Sequence, residues 1–498
     1  MNETLRNDAW LAAPILLPLL TALIASLLPD RARVRASLAG ATATFVASAA
    51  VIAGVVRGGP GRHHLGGWGA PLGIDLYADG LTALMLAMTA VLGAAISVYA
   101  TGYFHTARER RCFWPLWFVL WTGLNALFLT ADLFNFYVTL EVVGLSAVAL
   151  VAMEGGPLAL TAAARYLFVA MMGSLVYMGG VALIYSQYGV LDLTLLHGRL
   201  GVGPVGRAAL ALMVVGLLAK TAVFPLHLWL PPAHSSAPAP VSAALSGLVV
   251  KGSFYILLRT SFSSFADSAL AAIGPFLGVL GGLAVLWGSL QALTQDRLKL
   301  MVAYSTVAQI GYLFLLFPVA MPGAGDAAWQ SKAYIAGIFH ALSHAAAKGA
   351  MFMAAGAILH AVGRDDKNSL RGLGEKLPVA TSAFAVAGVS IMALPPSGGF
   401  IAKWMMLVAA VRTGQWWWAP LMIGGGLLAA AYIFRMVKFM FFQPPASAAE
   451  LHPIPRRLEF TALALALTAL ALGLASVYPL AVAAIGAPFP SNWFTESF

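Results

Sequence analysis

Ala219-Lys220-Thr221-Ala222-Val223-Phe224-Pro225-Leu226-His227-Leu228-Trp229 closes an apolar run that begins near residue 207. Such a run is long enough to cross a bilayer, whose hydrocarbon core of roughly 30 Å takes about 20 apolar residues. A charge and a helix breaker inside it are both costly in lipid. Proline removes a backbone donor and clashes with the preceding turn, and freed carbonyls are tolerated at depth only where they line protein or water. The stretch therefore reads as a broken membrane helix that carries a buried lysine.

Working outward, the whole chain has this character. Hydrophobic residues make up 60% of its 498 positions and charged residues 10%, far from the quarter of charged residues usual in soluble domains. The net charge of +10 does not signal nucleic acid, because the Lys and Arg residues are scattered in short connections and form no basic helix. A single cysteine, Cys112, excludes an internal disulfide framework and any zinc or iron–sulfur site built from several cysteines, so no cofactor is signalled. The first apolar stretch, from Trp10 to Leu28, is longer than a signal-peptide core and is expected to be a retained helix.

Segmenting at polar, Gly-rich and Pro-rich breaks predicts an all-α polytopic membrane protein of fourteen helices, one membrane domain over 1–498. The spans are 10–28, 37–56, 78–100, 112–130, 132–153, 160–186, 207–230, 239–261, 268–292, 299–320, 331–361, 378–411, 417–441 and 458–484. Alternation along these spans tests the count, since cytoplasmic loops collect Lys and Arg. With Arg31, Arg33 and Arg35 inside, sixteen basic loop residues fall inside and eight outside. Both termini are then predicted on the non-cytoplasmic side of a bacterial-type plasma membrane. No connection is long enough for a soluble domain. Gly424-Gly425-Gly426 reads as close helix packing, and Trp416-Trp417-Trp418 as an interfacial anchor.

Charges near the bilayer centre cost about 2.5–3.5 kcal/mol on insertion scales, which makes them functional candidates. They are Glu141 in the fifth helix, Lys220 in the seventh, Lys251 in the eighth, His340, His344 and Lys348 in the eleventh, and Lys403 in the twelfth. Desolvation favours the neutral forms of lysine and glutamate alike, which makes both usable as proton carriers. His340, His344 and Lys348 are spaced four apart and line one helix face at roughly 6 Å intervals. The His-x-x-x-His spacing also suits a metal, but no third ligand accompanies it, so no metal site is expected. Static ion pairs are the competing explanation. Lysines on four helices with one acid plainly available exceed what static pairing needs. Arg165 and Asp132, near helix ends, read as structural.

A second break follows the pattern of the first. Pro395-Pro396-Ser397-Gly398-Gly399-Phe400 interrupts the twelfth helix and Lys403 follows, as Pro225 follows Lys220. Helices seven and twelve run in opposite directions, so two inverted five-helix repeats are predicted, helices 4–8 (residues 112–261) and 9–13 (residues 268–441).

These residues resemble a known family. Phe224-Pro-Leu-His-Leu-Trp-Leu-Pro-Pro-Ala-His-Ser-Ser-Ala-Pro-Ala-Pro-Val-Ser-Ala-Ala-Leu245, followed by Lys251, is similar to the signature of the antiporter-like subunits shared by respiratory complex I and Mrp-type sodium/proton antiporters. Gln295-Asp296-Arg297-Leu298-Lys299, Ala303-Tyr304-Ser305-Thr306 and Gln309-Ile310-Gly311 extend the similarity, as do the segments His344 to Lys348 and Pro395 to Lys403. The resemblance implies a proton relay. Glu141 resembles the family's fifth-helix glutamate, Lys220 its broken-helix lysine, Lys251 and Lys348 its eighth- and eleventh-helix lysines, and Lys403 its twelfth-helix terminal group.

Thr130-Ala-Asp-Leu-Phe-Asn-Phe-Tyr-Val-Thr-Leu-Glu141 looks closest to the D-type subunits of Mrp antiporters, and Lys403 differs from the glutamate of the complex I M-type subunit. The chain ends soon after its fourteenth run, unlike the L-type subunit with its lateral helix. Ala347-Lys348-Gly349 departs from the family, which has an aromatic before the lysine and an alanine after it. The expected partners are other membrane subunits of a hetero-oligomeric complex, with protons and Na+ as the transported ions and no nucleic acid. The alternative is the pumping subunit of an NADH-quinone oxidoreductase or a membrane-bound hydrogenase.

Overall fold

The computed structural model describes residues 6–323, 325–444 and 451–489. Both chain ends and part of the 442–457 connection, for which the sequence sets a side of the membrane, lie outside the described residues. Among those described, thirteen helices are long and apolar enough to cross a membrane. In chain order the helices are α1 (Ala9–Leu27), α2 (Asp30–Gly58), α3 (Gly80–Tyr103), α4 (Ala107–Leu129), α5 (Leu133–Ala152), α6 (Pro157–Tyr188) and α7 (Gly203–Thr221). They continue with a short α8 (Leu230–Ser236), then α9 (Ala239–Ser263), α10 (Asp267–Thr294), α11 (Leu298–Ala320) and α12 (Ala327–Val362). The last are α13 (Pro378–Met392), α14 (Gly398–Arg412), α15 (Trp418–Phe442), α16 (Arg456–Leu474) and a short α17 (Val477–Ala484).

The fourteenth crossing is the pair α13 and α14, two half-length helices on either side of Pro395 and Pro396. Two expected spans end early. The seventh stops at Thr221 instead of 230, because Ala222 takes a left-handed φ of 58° and turns the chain out of the helix. The last, expected to run to 484, stops at Leu474 and resumes as α17.

Burial separates an inner shell from an outer one. The most apolar stretch of α9 is buried throughout and that of α12 nearly so, whereas about a third of the corresponding stretches of α1, α2 and α16 is buried. Polar side chains on α9 and α12 are thus shielded by other helices. Gly425 performs the packing role expected of its glycine run: a Cβ there would overlap Tyr312 and Val285. The Tyr312 hydroxyl instead donates to the Met422 carbonyl at 2.7 Å. Trp416 and Trp417 are exposed, as an interfacial anchor requires.

One element is not legible in the sequence. A three-stranded sheet, β1 (Arg6–Asn7), β2 (Gly61–His64) and β3 (Asp75–Ala78), closes one end of the bundle, with β1 parallel and β3 antiparallel to β2. Arg62 fixes it, donating to Asp75 at 2.8 Å and to Asp192 at 2.6 Å, which ties the sheet to the α6–α7 connection.

Candidate functional site: a buried row of lysines and histidines

Lys220 occupies the last turn of α7, where the helix ends before its proline. Its ammonium donates to Glu141 Oε1 on α5 at 3.2 Å and to the Leu140 carbonyl at 3.2 Å. The Lys220 side chain is 7% exposed and that of Glu141 24%, so the pair is shielded on one side only. The break is stabilised by Trp229, whose ring N–H donates to the Ala219 carbonyl at 3.0 Å while the indole stacks on Tyr166 at 4.1 Å. The Ala219 carbonyl, which also accepts the Ala222 N–H at 3.3 Å, is thereby bonded twice at the helix end.

The second break repeats this local form. Ala393 is left-handed at a φ of 60°, and a cis proline follows three residues later in both places, at Pro225 and at Pro396. Ser397 then caps α14, accepting from the Phe400 N–H at 3.2 Å. Lys403 lies beyond the break and donates back across it to the Ile391 carbonyl at 3.0 Å, at the negative end of α13. Its ammonium also sits 3.9 Å from the centroid of the Tyr312 ring. Gly399 makes this approach possible, since a Cβ would collide with the Ser390 carbonyl oxygen. Gly399→Ala is expected to destabilise the fold by about 1–3 kcal/mol, readable as a lower melting temperature of the purified protein. An unchanged melt would show that the two half-helices can part freely.

Between the breaks lies the inner row. Lys251 is fully buried on α9 and donates to the Ser246 carbonyl of its own helix, five residues back, within a π-type turn over Leu245–Val249. Turns of this kind recur at functional sites. The Ser246 hydroxyl pairs with that of Thr306 at 2.8 Å. Lys348, fully buried on α12, donates to the Val302 carbonyl at 3.0 Å and to the Ser305 hydroxyl. His340 and His344 stack at 5.9 Å on the same face of α12; among the described residues the ring nitrogens of His344 have no hydrogen-bond partner, and His340 approaches the Gln309 backbone. Lys251 and Lys348 are both within electrostatic reach of His344. Lys220 is thus held by a carboxylate, while Lys251, Lys348 and Lys403 are held by carbonyls and hydroxyls.

Two further residues join this row. His234 on α8 is fully buried, stacks on Phe352 at 4.6 Å, and has both ring nitrogens unpaired among the described residues. It sits within the stretch that carries the resemblance, but a histidine on a segment just past a break does not by itself show which way it faces. Lys299, a loop cation by its place in the sequence, is 4% exposed and donates to the Ala237 carbonyl at 2.6 Å, because α8 folds back over the start of α11. Asp132 caps α5 as expected of a helix-end residue, accepting from the Asn135 N–H at 2.8 Å. Arg165 faces outward from α6, two turns inside its start.

A helix bundle that buries lysines without a carboxylate partner among its apolar spans belongs to the class of polytopic membrane proteins with a polar interior. Similarity to known proteins narrows that class. Residues 130–429 match the transmembrane family described as NADH:quinone oxidoreductase/Mrp antiporter, and the chain belongs to that family as an integral membrane protein. It is 36% identical over 429 residues to the N subunit of the NADH-quinone oxidoreductase of Desulforudis audaxviator, covering 84% of this chain and 83% of that one. It is 29% identical over 350 residues to the D subunit of the Na(+)/H(+) antiporter of Alkalihalophilus pseudofirmus, covering 70% and 69%. Its fold superposes on a chain of the Mrp complex from Dietzia sp. DQ12-45-1b with a TM-score of 0.86 at 27% identity, covering 95% of this chain and 96% of that one.

Proposed function

We propose that the chain is the proton-translocating, antiporter-like subunit of a Mrp-type monovalent cation (Na+)/H+ antiporter complex. The observation that carries this is the Lys220–Glu141 pair standing beside a row of buried lysines that have carbonyl and hydroxyl partners instead of acids. A static ion-pair scaffold would match each lysine with a carboxylate. Here Glu141 sets the charge of the uptake side by favouring the protonated form of Lys220. Lys251, His344, His340 and Lys348 hand the proton along with water bridging between them, and Lys403 releases it on the far side. Each transfer leaves its donor neutral and its acceptor charged.

The paired breaks, each with a left-handed alanine three residues before a proline and a lysine nearby, support reading residues 112–261 and 268–441 as inverted repeats within one membrane domain. The excess of Lys and Arg on one set of loops supports both termini lying on the non-cytoplasmic side of a plasma membrane. The 36% identity to the N subunit of an oxidoreductase favours a second reading, a pumping subunit driven by electron transfer in partner chains. The proteins that copurify with the chain decide between them: flavin and iron–sulfur proteins mark the redox complex, small Mrp-type membrane proteins the antiporter.

The test is proton flux in vesicles that hold the intact complex. Glu141→Ala and Lys220→Ala are each expected to lower flux by about tenfold or more, with the complex recovered in normal yield. Normal flux with normal assembly overturns the proposal. Lost assembly with normal flux per complex favours a scaffold.

A further inference from the structure

The turns between α3 and α4 and between α5 and α6, together with the link from α8 to α9, enclose a cavity of about 310 Å³ whose lining includes Tyr103, Arg108, Glu109, Cys112, Glu154 and Pro238. Both turns belong to the face that the Lys and Arg distribution assigns to the cytoplasm. The two acids of the lining differ in their freedom. Glu154 is exposed at the cavity mouth, whereas Glu109 is committed to the start of α4, accepting from the N–H groups of His105 and Thr106 at 3.0 and 2.9 Å.

Behind the Pro238 wall lies a charged group. The Ala237 carbonyl, one residue before Pro238, accepts the buried Lys299 ammonium at 2.6 Å. Two acids act on Lys299 across space, Asp365 and Glu154. Asp365 is already paired with Arg297 at 3.0 Å, which leaves Glu154 as the acid open to the cavity. Three residues before Ala237 is His234. Its unpaired ring lies within electrostatic reach of Lys299, Lys348 and Lys251 together, and it stacks on Phe352, one turn beyond Lys348.

The order from water to the interior is therefore carboxylate, ammonium, imidazole, then the row. We infer that this cavity is a cytoplasmic vestibule for protons, in which Glu154 collects them and Lys299 passes them by way of His234 to Lys251 and Lys348. The step balances in protons: the Lys299 ammonium gives one to neutral His234, and protonated Glu154 restores it. The cavity wall partly desolvates the Glu154 carboxyl and so raises it above its ordinary value, opposed by the Lys299 ammonium and assisted by Glu109. The charged and titratable groups around Glu154 are Glu109 and Arg108 on α4, Tyr103 on α3 and Lys299 on α11. This inference rests on the proton-relay reading above.

The experiment uses the intact complex in proteoliposomes, with the pH on the cytoplasmic side varied. Glu154→Gln is expected to lower flux about fivefold at neutral cytoplasmic pH and to move its half-maximal point to a higher proton concentration, with Glu154→Asp restoring the profile. Lys299→Met is expected to lower flux at every pH. Cys112, the chain's one cysteine, allows a test on protein that is already folded. An anionic methanethiosulfonate should favour uptake and a cationic one oppose it, and Cys112→Ser should abolish both effects. The vestibule is overturned if Lys220→Ala stops flux while Glu154→Gln, Lys299→Met and both thiol reagents leave the rate and its pH dependence unchanged. Normal flux in Lys220→Ala overturns the relay itself.

Discussion

Methionine in place of Lys348 is expected to reduce proton flux by about 100-fold or more while the complex assembles in full yield, because removing a positioned proton carrier typically costs 10²–10⁴-fold in rate. The side chain is fully buried and its ammonium rests on a carbonyl and a hydroxyl. Methionine keeps much of the length and removes the charge. Since burying that charge is itself unfavourable, the variant loses no net stability, which separates transport from folding. Vesicle flux together with the amount of complex recovered on a native gel reads both quantities. Full flux in the variant would remove Lys348 from the pathway.

The largest effect on stability is expected at the opposite kind of site. Arg259 grips both oxygens of Asp79, one of them at 2.7 Å, and also donates to Thr82 at 2.9 Å and Tyr255 at 3.1 Å. Its guanidinium lies against the rings of Tyr77 and Tyr255. Asp79 is 2% exposed and also caps α3, accepting from the Thr82 N–H at 3.0 Å. Arg259→Met therefore strands a buried carboxylate and is expected to cost about 3–5 kcal/mol. Combining it with Asp79→Asn should recover part of the loss, because the unpaired charge is then gone. Denaturant unfolding in detergent measures both. A loss below about 1 kcal/mol would place the pair among weakly coupled surface bridges.

These two sites differ in how far the sequence reveals them. Lys348 is legible because a charge in a 20-residue apolar run is costly wherever the helix packs, so its presence alone is informative. The same holds for Glu141, Lys220, Lys251 and Lys403, and the prolines mark both breaks for an equally local reason. Arg259 stands near a predicted helix end and looks like a loop cation, and its partner Asp79 is 180 residues away. Lys299 misleads in the same way. Its burial depends on α8 folding back over it, a tertiary fact with no local signal.

His234 is visible as a residue but not as a direction, since a seven-residue helix after a break has too short a period to assign a face. The sheet is hidden because strands of two and four residues show no usable alternation. The early end of α7 is hidden because Ala222, at the left-handed position, is not the glycine or asparagine usually found there. The π-type turn before Lys251 leaves no mark either, being built from Leu, Ser, Gly and Val.

Those left-handed alanines have a mechanical meaning. At Ala222 and Ala393 a glycine would sit without strain, whereas alanine in this conformation costs about 1 kcal/mol. A glycine would also let the backbone wander among many conformers, and alanine offers few. Each joint therefore has its turn set at one residue, which narrows the angles open to the helix before it and the chain after it.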